Sequence, residues 1–170
     1  NCFQHWIHGG QIYLYSDPHF SDDEMKYLRH NYIGDEEQIK RINQKIGKYD
    51  TIIFLGDIGN LECIKKIRGY KVLIMGNHDT GETKYHEYFD EVYSGPLMIS
   101  KKILLSHEPI NIPDFIINIH GHDHTGIEKI DNKNNLNLCA EHIDYTPVSL
   151  KELIKNGLLS NITDIHRTTS

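Results

Sequence analysis

The chain lacks the features that mark several classes of protein. Its three cysteines, Cys2, Cys63 and Cys139, are widely separated and form no C-x-x-C pair, which favours a reducing compartment over a disulfide framework. No apolar run approaches the length that crosses a bilayer. The first residues lack the basic start and the apolar stretch of a signal peptide. We therefore expect a cytoplasmic protein without a membrane segment.

Basic residues are also in the minority, since 18 Lys and Arg stand against 24 Asp and Glu, for a net charge of −6. Nucleic-acid-binding faces need clustered Lys and Arg, so this balance disfavours an extended nucleic-acid footprint. Internal repeats and low-complexity linkers are absent too. A chain of 170 residues fits a single hydrophobic core. We expect one domain over 1–170, with 1–10 and 157–170 as candidate peripheral segments.

Histidine, in contrast, is plentiful, with 12 residues in the chain. Solvent exposure and chance scatter are the interpretation for five of these histidines: His5, His8, His30, His86 and His166. The question is whether the others lie beside carboxylates at useful spacings.

Apolar strands alternate with helical patterns along the chain. Strands are predicted at 11–15, 51–55, 71–75, 97–100, 103–106, 115–119, 127–130 and 136–140. Helices are predicted at 35–48, 61–67 and 83–89, and a last one begins at Ser149, where Glu152 completes a capping box. The strands at 51–55 and 71–75 flank a helix, which predicts a parallel βαβ unit. The remaining strands include two predicted hairpins, 97–106 and 127–140.

Five polar clusters follow directly after predicted strands. They are Asp17-Pro18-His19, Gly56-Asp57, Gly76-Asn77-His78-Asp79, Ser106-His107-Glu108-Pro109 and Gly121-His122-Asp123-His124. Parallel strands deliver their carboxyl ends to one edge of a sheet, so these clusters are predicted to converge. Each cluster alone is weak evidence, because D-x-H occurs by chance in many chains, but five in this order are poorly explained by chance.

The chemistry of the clusters points to a metal site. Carboxylates and imidazoles together suit Mn, Fe or Zn, whereas sets made only of oxygen ligands suit Mg or Ca. One Asp between two ions can bridge them, and such a pair suits in-line attack on phosphorus. A glycine beside a ligand lets the backbone turn sharply and leaves room at the site.

The ordered set D-x-H, G-D, G-N-H-D, H and G-H-x-H resembles the calcineurin-like metallophosphoesterase superfamily, over Asp17 to His124. The stretch 145–150 also resembles the ending of small bacterial and phage members. The resemblance implies an α/β fold, a four-layer α/β/β/α sandwich of two mixed sheets flanked by helices. It also implies two divalent transition-metal ions, Mn as the first expectation and Fe, Zn or Ni as alternatives.

The resemblance further implies a role for each matched residue. One ion would be held by Asp17, His19 and His124, and the other by Asn77, His107 and His122. Asp57 would bridge them, and a metal-bridging hydroxide would attack the phosphorus atom. His78 would stay off the metals and would stabilise phosphoryl oxygens or protonate the leaving group, so His78 and Asp57 carry the catalytic roles. The alternative for His78 is an exposed loop histidine.

Several residues depart from the pattern or lie beside it. Asn60 stands where the larger phosphatases of the superfamily carry a second Asp, and their following Arg is missing, which disfavours protein phosphatase activity. Asn60 would contact His78 or substrate, or act as a plain turn residue. Asp123 would orient a ligand histidine or face solvent, and Asp79 is interpreted as a turn or supporting residue. His120 and His142 are expected to pack or to line the rim of the site.

The function expected from these observations is metal-dependent hydrolysis of a phosphodiester or small phosphomonoester. The substrate would be a small phosphate ester or a nucleotide, and the sequence is compatible with an oligomer. Two alternatives are a non-catalytic scaffold of the same fold that binds a protein partner, and a nuclease. The complete ligand set argues against the first, and the acidic charge balance argues against the second.

Overall fold

Two five-stranded mixed sheets with flanking helices make an α/β fold in the computed structural model, which describes residues 8–125, 130–132 and 134–156. The strands are β1 (Ile12–Tyr15), β2 (Thr51–Phe54), β3 (Tyr70–Ile74), β4 (Glu91–Tyr93), β5 (Leu97–Ser100), β6 (Ile103–Leu105), β7 (Ile117–His120), β8 (Ile130–Asn132), β9 (Asn135–Asn137) and β10 (Val148–Ser149). The α-helices are α1 (Met25–Leu28), α2 (Asp35–Lys45), α3 (Glu82–Tyr85) and α4 (Leu150–Lys155). Two 3₁₀ helices span Leu61–Lys66 and Ala140–Ile143.

The first sheet has the strand order β10-β1-β2-β3-β4. Strands β1 to β4 are parallel, and β10 pairs antiparallel with β1. Tyr15 lies opposite Phe54, and Phe54 lies opposite Leu73. Because the registers align, the segments after β1, β2 and β3 leave the sheet at one edge.

The second sheet has the order β5-β6-β7-β9-β8, with a parallel centre and an antiparallel strand at each edge. Its carboxyl edge meets that of the first sheet, because Ser16 and Cys139 form a parallel bridge. The N–H of Ala140 donates to the carbonyl of Ser16 at 2.9 Å. Both sheets therefore deliver their strand ends to one place.

The elements form for local reasons that the sequence makes visible. All four residues of β2 are buried, as a strand covered on both faces requires. Helix α2 buries Ile39 and Ile42 and carries three acidic residues in its first turn, where they favour the helix dipole. The capping box predicted at Ser149 and Glu152 is present at the start of α4.

Some predicted elements differ from the structure. The helix predicted at 83–89 is the shorter α3, the segment predicted at 61–67 is a 3₁₀ helix, and α2 ends at Lys45. Phe115 was expected in a buried strand but is 69% exposed, because β7 begins only at Ile117 after a turn in which the N–H of Ile116 donates to the carbonyl of Pro113. The strand predicted at 136–140 ends at Asn137, and Ala140 begins a 3₁₀ helix.

Helix α1 and strands β4 and β10 were not predicted, since each has only two to four residues. The residues 127–129 of the second predicted hairpin lie outside the described part of the chain, as do 1–7 and 157–170, with Cys2, His5 and His166. In the described part, Cys63 and Cys139 are free and buried. No helix among the described residues is both long and apolar enough to pass through a bilayer.

Candidate metal centre

The seven predicted ligand residues lie together where the two sheets meet, and Asp57 is at their centre. Its Oδ2 atom lies 3.6 Å from Nε2 of His19 and 3.4 Å from Nε2 of His107. These two histidines belong to two different groups of side chains. Asp57 therefore lies close to both groups.

The first group contains Asp17, His19 and His124. The Oδ1 atom of Asp17 lies 3.8 Å from Nε2 of His19 and 3.5 Å from Nε2 of His124. The rings of the two histidines meet edge to face, with centroids 5.1 Å apart. Asp17 is fully buried, whereas the side chains of His19 and His124 are partly exposed.

The second group contains Asn77, His107 and His122. The Nε2 atom of His107 lies 2.8 Å from Oδ1 of Asn77 and 3.1 Å from Nδ1 of His122. On its other side, the Nδ1–H of His107 donates to the carbonyl of Leu55 at 2.8 Å. That bond fixes the ring and leaves Nε2 to face the group, as in many histidines that bind metals.

Four of the seven residues have a left-handed backbone. The φ angles are 54° at Asp17, 45° at His19, 53° at Asp57 and 68° at His122. This region costs a residue with a Cβ atom about 1–2 kcal/mol, and such strain clusters at functional sites. The sharp turns allow polar side chains to point back across the ends of their strands.

Neighbouring glycines make the close approach of these turns possible, as the sequence predicted. A Cβ atom on Gly76 would lie 2.3 Å from Oδ1 of Asp57, and one on Gly121 would lie 2.1 Å from Oδ2 of Asp17. Gly56 has a φ of 107°, and a Cβ atom there would lie 2.5 Å from Nδ1 of His107. Any side chain at these positions would displace a ligand residue.

Among the described residues, only one oxygen of the Asp17 carboxylate accepts hydrogen bonds. Its Oδ2 accepts hydrogen bonds from the Ser16 hydroxyl, from the His122 N–H at 2.9 Å and from the Cys139 thiol at 3.4 Å. Within the described part of the chain, Oδ1 of Asp17 and Nε2 of His19 are buried without any hydrogen-bond partner. Buried polar atoms without partners are costly, and two of them facing one point fit a bound cation.

The pKa values show how strongly the carboxylates and imidazoles interact. Burial alone would lower the pKa of His107, but Asp57 and Asp17 raise it to about 9. Burial likewise opposes the shift at His124, where Asp17 and Glu141 raise the pKa to about 9. Burial would raise the pKa of Asp17, yet its histidine neighbours hold it well below its usual value. Without metal the site therefore pairs carboxylates with protonated imidazoles, and divalent cations would replace those protons.

Two residues that sequence reasoning missed support the first group. Glu141 lies with Oε1 at 2.5 Å from Nδ1 of His124, and its Oε2 lies 3.2 Å from Nε of Arg29. Cys139, a neighbour of Asp17, was also missed. Burial raises the pKa of its thiol, and the negative charges of Asp17 and Glu141 raise it further. Neither Glu141 nor Cys139 stands beside a motif. Only their residue types, a carboxylate and a thiol that can bind metals, could have pointed to them.

Asp79 is a supporting residue, as its position suggested. Its carboxylate accepts the backbone N–H groups of Asp57 at 2.7 Å, Gly76 at 2.8 Å and Ile58 at 3.0 Å. The side chain is 7% exposed. Asp79 therefore fixes the turns that carry Asp57 and Asn77.

Two further candidates turn out to hold turns. Asn60 caps the 3₁₀ helix Leu61–Lys66 by accepting the N–H of Glu62 at 3.1 Å, and its amide donates to Ser21. The carboxylate of Asp123 accepts the N–H and hydroxyl of Thr125 at 2.9 and 2.7 Å. The carboxylate that contacts the ring of His124 belongs to Glu141.

The histidines beside the motifs have packing roles. His120 is fully buried and its Nδ1–H donates to the carbonyl of Gly121 at 2.8 Å. His142 donates through Nε2 to the carbonyl of Asp123 at 2.9 Å, which steadies the loop between His122 and His124. His78 is different, because its side chain is 69% exposed with Nε2 4.0 Å from Oδ2 of Asp57.

Two clefts adjoin the candidate ligand residues. A cleft of roughly 400 Å³ adjoins the first group and is lined by His19, Asp57, His78, His124 and side chains of the α1 and α3 segments. A second cleft of roughly 360 Å³ adjoins Asn77 and His107 and includes Met75, Pro96, Pro109 and Ile110. Each group of candidate ligands therefore borders a cleft.

These observations define the site as a candidate metal centre on an α/β fold. Neither protein-family models nor curated proteins give a match to this chain. The chain is similar to a protein of unknown function from Aquifex aeolicus, with a TM-score of 0.72 and 26% identity over 87% of this chain and 100% of that chain. The likeness supports the fold and assigns no activity.

Proposed function

We propose that this chain is a dinuclear-metal-dependent phosphoesterase whose two sheets and flanking helices form the four-layer sandwich of the calcineurin-like superfamily. One observation carries the proposal. Of two groups of candidate nitrogen and oxygen ligands, each has a histidine that approaches the same oxygen of Asp57, Oδ2. Mixed carboxylate, amide and imidazole ligands favour Mn, Fe or Zn over Mg or Ca, with Mn proposed first.

Two bound cations would supply positive charge for phosphoryl oxygens and would lower the pKa of water toward neutrality. The protein residues hold and orient these charges. Asp57 faces both groups, and its Oδ1 is fixed by the N–H of His78 at 3.0 Å. Asp79 fixes the backbone of Asp57. The carboxylate is thereby pre-oriented before any ligand binds, which lowers the cost of reorganisation.

His78 is the residue best placed to act on the substrate itself. Its ring stands edge to face with His19, with centroids 5.8 Å apart, at the rim of the first cleft. The exposed imidazole is not needed for packing. We propose that it donates a hydrogen bond to a phosphoryl oxygen or a proton to the leaving oxygen, a contribution of about 10²–10⁴ in rate.

The first cleft is lined by Asp57 and the second by Asn77 and His107. Because each cleft offers space for one substituent on phosphorus, the two together favour a phosphodiester over a monoester. The second cleft contributes apolar side chains such as Met75 and Ile110, which suit an aryl or base-like group. A small phosphate ester or nucleotide is accordingly the proposed substrate.

The test is hydrolysis of bis(p-nitrophenyl) phosphate by metal-free protein reconstituted with Mn²⁺. We expect wild-type turnover, loss of most activity in Asp57→Ala, and a 10²- to 10⁴-fold lower kcat in His78→Ala with two Mn²⁺ still bound. His86→Ala is the matched control, since His86 is also an exposed histidine and lies outside the ligand set. Wild-type-like turnover in Asp57→Ala would refute the mechanism, and a metal-loaded protein without any esterase activity would favour the scaffold alternative.

A further inference from the structure

A buried ion pair beside the metal centre has no part in the reaction proposed above. Nε of Arg29 lies 3.2 Å from Oε2 of Glu141, and both side chains are only 1% exposed. Burying two charges costs several kcal/mol per ion before their attraction is counted, so such pairs are poor stabilisers. The pair therefore calls for an explanation other than stability.

Glu141 connects the pair to a metal ligand. Its second oxygen, Oε1, lies 2.5 Å from Nδ1 of His124, whose Nε2 in turn faces Oδ1 of Asp17 at 3.5 Å. A carboxylate on the far nitrogen fixes both the tautomer and the direction of a ligating histidine. Glu141 is itself held by the 3₁₀ helix Ala140–Ile143, which begins beside the bridge from Cys139 to Ser16.

Arg29 connects the same pair to the wall of the first cleft. It follows directly after α1, whose residues Met25 and Leu28 line that cleft. Its guanidinium also donates to the carbonyls of Asp17 and Pro18. A second bond ties the segment to the same place, because the amide of Asn31 donates to the Glu141 carbonyl at 2.9 Å.

We infer that Arg29 and Glu141 are positioning residues that couple metal binding at Asp17, His19 and His124 to the order of the cleft wall over residues 22–31. The inference rests on the proposed dinuclear centre. An ion on His124 holds the imidazole in place for Glu141, Glu141 holds Arg29, and Arg29 holds the end of α1. Because linkage is reciprocal, loosening the wall at Arg29 lowers metal affinity by the same factor by which metal tightens the wall.

The test compares the full chain with the double variant Arg29→Met/Glu141→Gln, which removes both charges and keeps similar side-chain volumes. The control is Lys66→Met/Glu36→Gln, which likewise removes one cation and one carboxylate, at an exposed ion pair of 2.7 Å outside the candidate ligand set. Mn²⁺ affinities are measured by calorimetric titration of metal-free protein. Amide hydrogen exchange over residues 22–31 is measured with and without Mn²⁺.

In the wild type and the control, Mn²⁺ should slow exchange over 22–31 by about tenfold or more, as a coupling of this kind predicts. In the double variant, one of the two Mn²⁺ affinities should fall about 10- to 100-fold, and the metal-dependent protection should disappear. Arg29→Lys keeps the charge but loses the planar guanidinium, so it should show a smaller loss of Mn²⁺ affinity and of metal-dependent protection. It replaces the double variant in the test if the double variant does not fold.

Wild-type affinities for both ions in the double variant would overturn the inference. It would also be overturned if amide exchange over 22–31 in the wild type were the same with and without Mn²⁺. A wild-type protein that takes up no Mn²⁺ would instead overturn the metal centre itself, so the two failures are distinguishable.

Discussion

The metal-free protein should lose stability as the pH rises from 6 to 8.5. In the folded chain the pKa values of His107 and His124 are both raised to about 9, whereas an unfolded histidine titrates near 6.5. A raised folded pKa means that the folded state binds protons more tightly than the unfolded state. The stability gained is therefore complete below about pH 6.5 and is lost as the pH rises toward 9.

The magnitude follows from the width of that window. For one histidine whose pKa rises from about 6.5 to about 9, the free energy of unfolding falls by about 2 kcal/mol between pH 6 and 8.5. The two histidines share Asp17 as a partner, so their contributions do not add fully. We expect a total loss of about 2–5 kcal/mol, while the carboxylates stay ionised throughout this range.

The assay is urea denaturation of chelator-treated protein at several pH values, with Mn²⁺-saturated protein measured beside it. Metal requires deprotonated imidazoles, so stabilisation by Mn²⁺ should grow over the same range in which the metal-free protein weakens. The variant His86→Ala keeps both site histidines and should retain the full pH dependence. A metal-free protein equally stable at pH 6 and 8.5 would refute the interpretation that the site holds protons in place of metal.

Two other predictions test the supporting geometry. Gly121→Ala should lower the free energy of unfolding by about 1–3 kcal/mol and weaken Mn²⁺ binding, since its Cβ would lie 2.1 Å from Oδ2 of Asp17. Gly34→Ala, with open space around its Cβ, is the control in the same Mn²⁺ titration. Asp79→Asn should lower the free energy of unfolding by about 1–3 kcal/mol in urea denaturation, because an amide group would replace an oxygen that accepts buried backbone N–H groups. Asp23→Asn, at an exposed position, should leave the free energy of unfolding unchanged.

The convergence of the seven candidate ligand residues could be predicted because its signal is local. Each candidate ligand follows a buried strand, and a glycine stands beside several of them, so strand recognition alone brings Asp17, Asp57 and Asn77 to one edge. Because β1, β2 and β3 pair in parallel and in register, their carboxyl ends then lie side by side. The exposed position of His78 could not be read in the same way, because it depends on the turn that follows.

The residues around the ligands could not be predicted, because they join the site from segments without a motif. Arg29 lies beyond a one-turn helix, and Glu141 lies in a 3₁₀ helix that continues an apolar run. Asp123 was a reasonable partner for a histidine by sequence distance, yet its carboxylate turns back to Thr125. Asn60 did carry a signal, since Asn directly before a helical pattern is a preferred N-cap residue.

Anomalous diffraction from crystals grown with Mn²⁺ tests the proposed dinuclear centre most directly. We expect two anomalous peaks about 4 Å apart, one against Asp17, His19 and His124 and the other against Asn77, His107 and His122. Asp57 should contact both ions. A single peak, or peaks away from Asp57, would contradict the dinuclear centre.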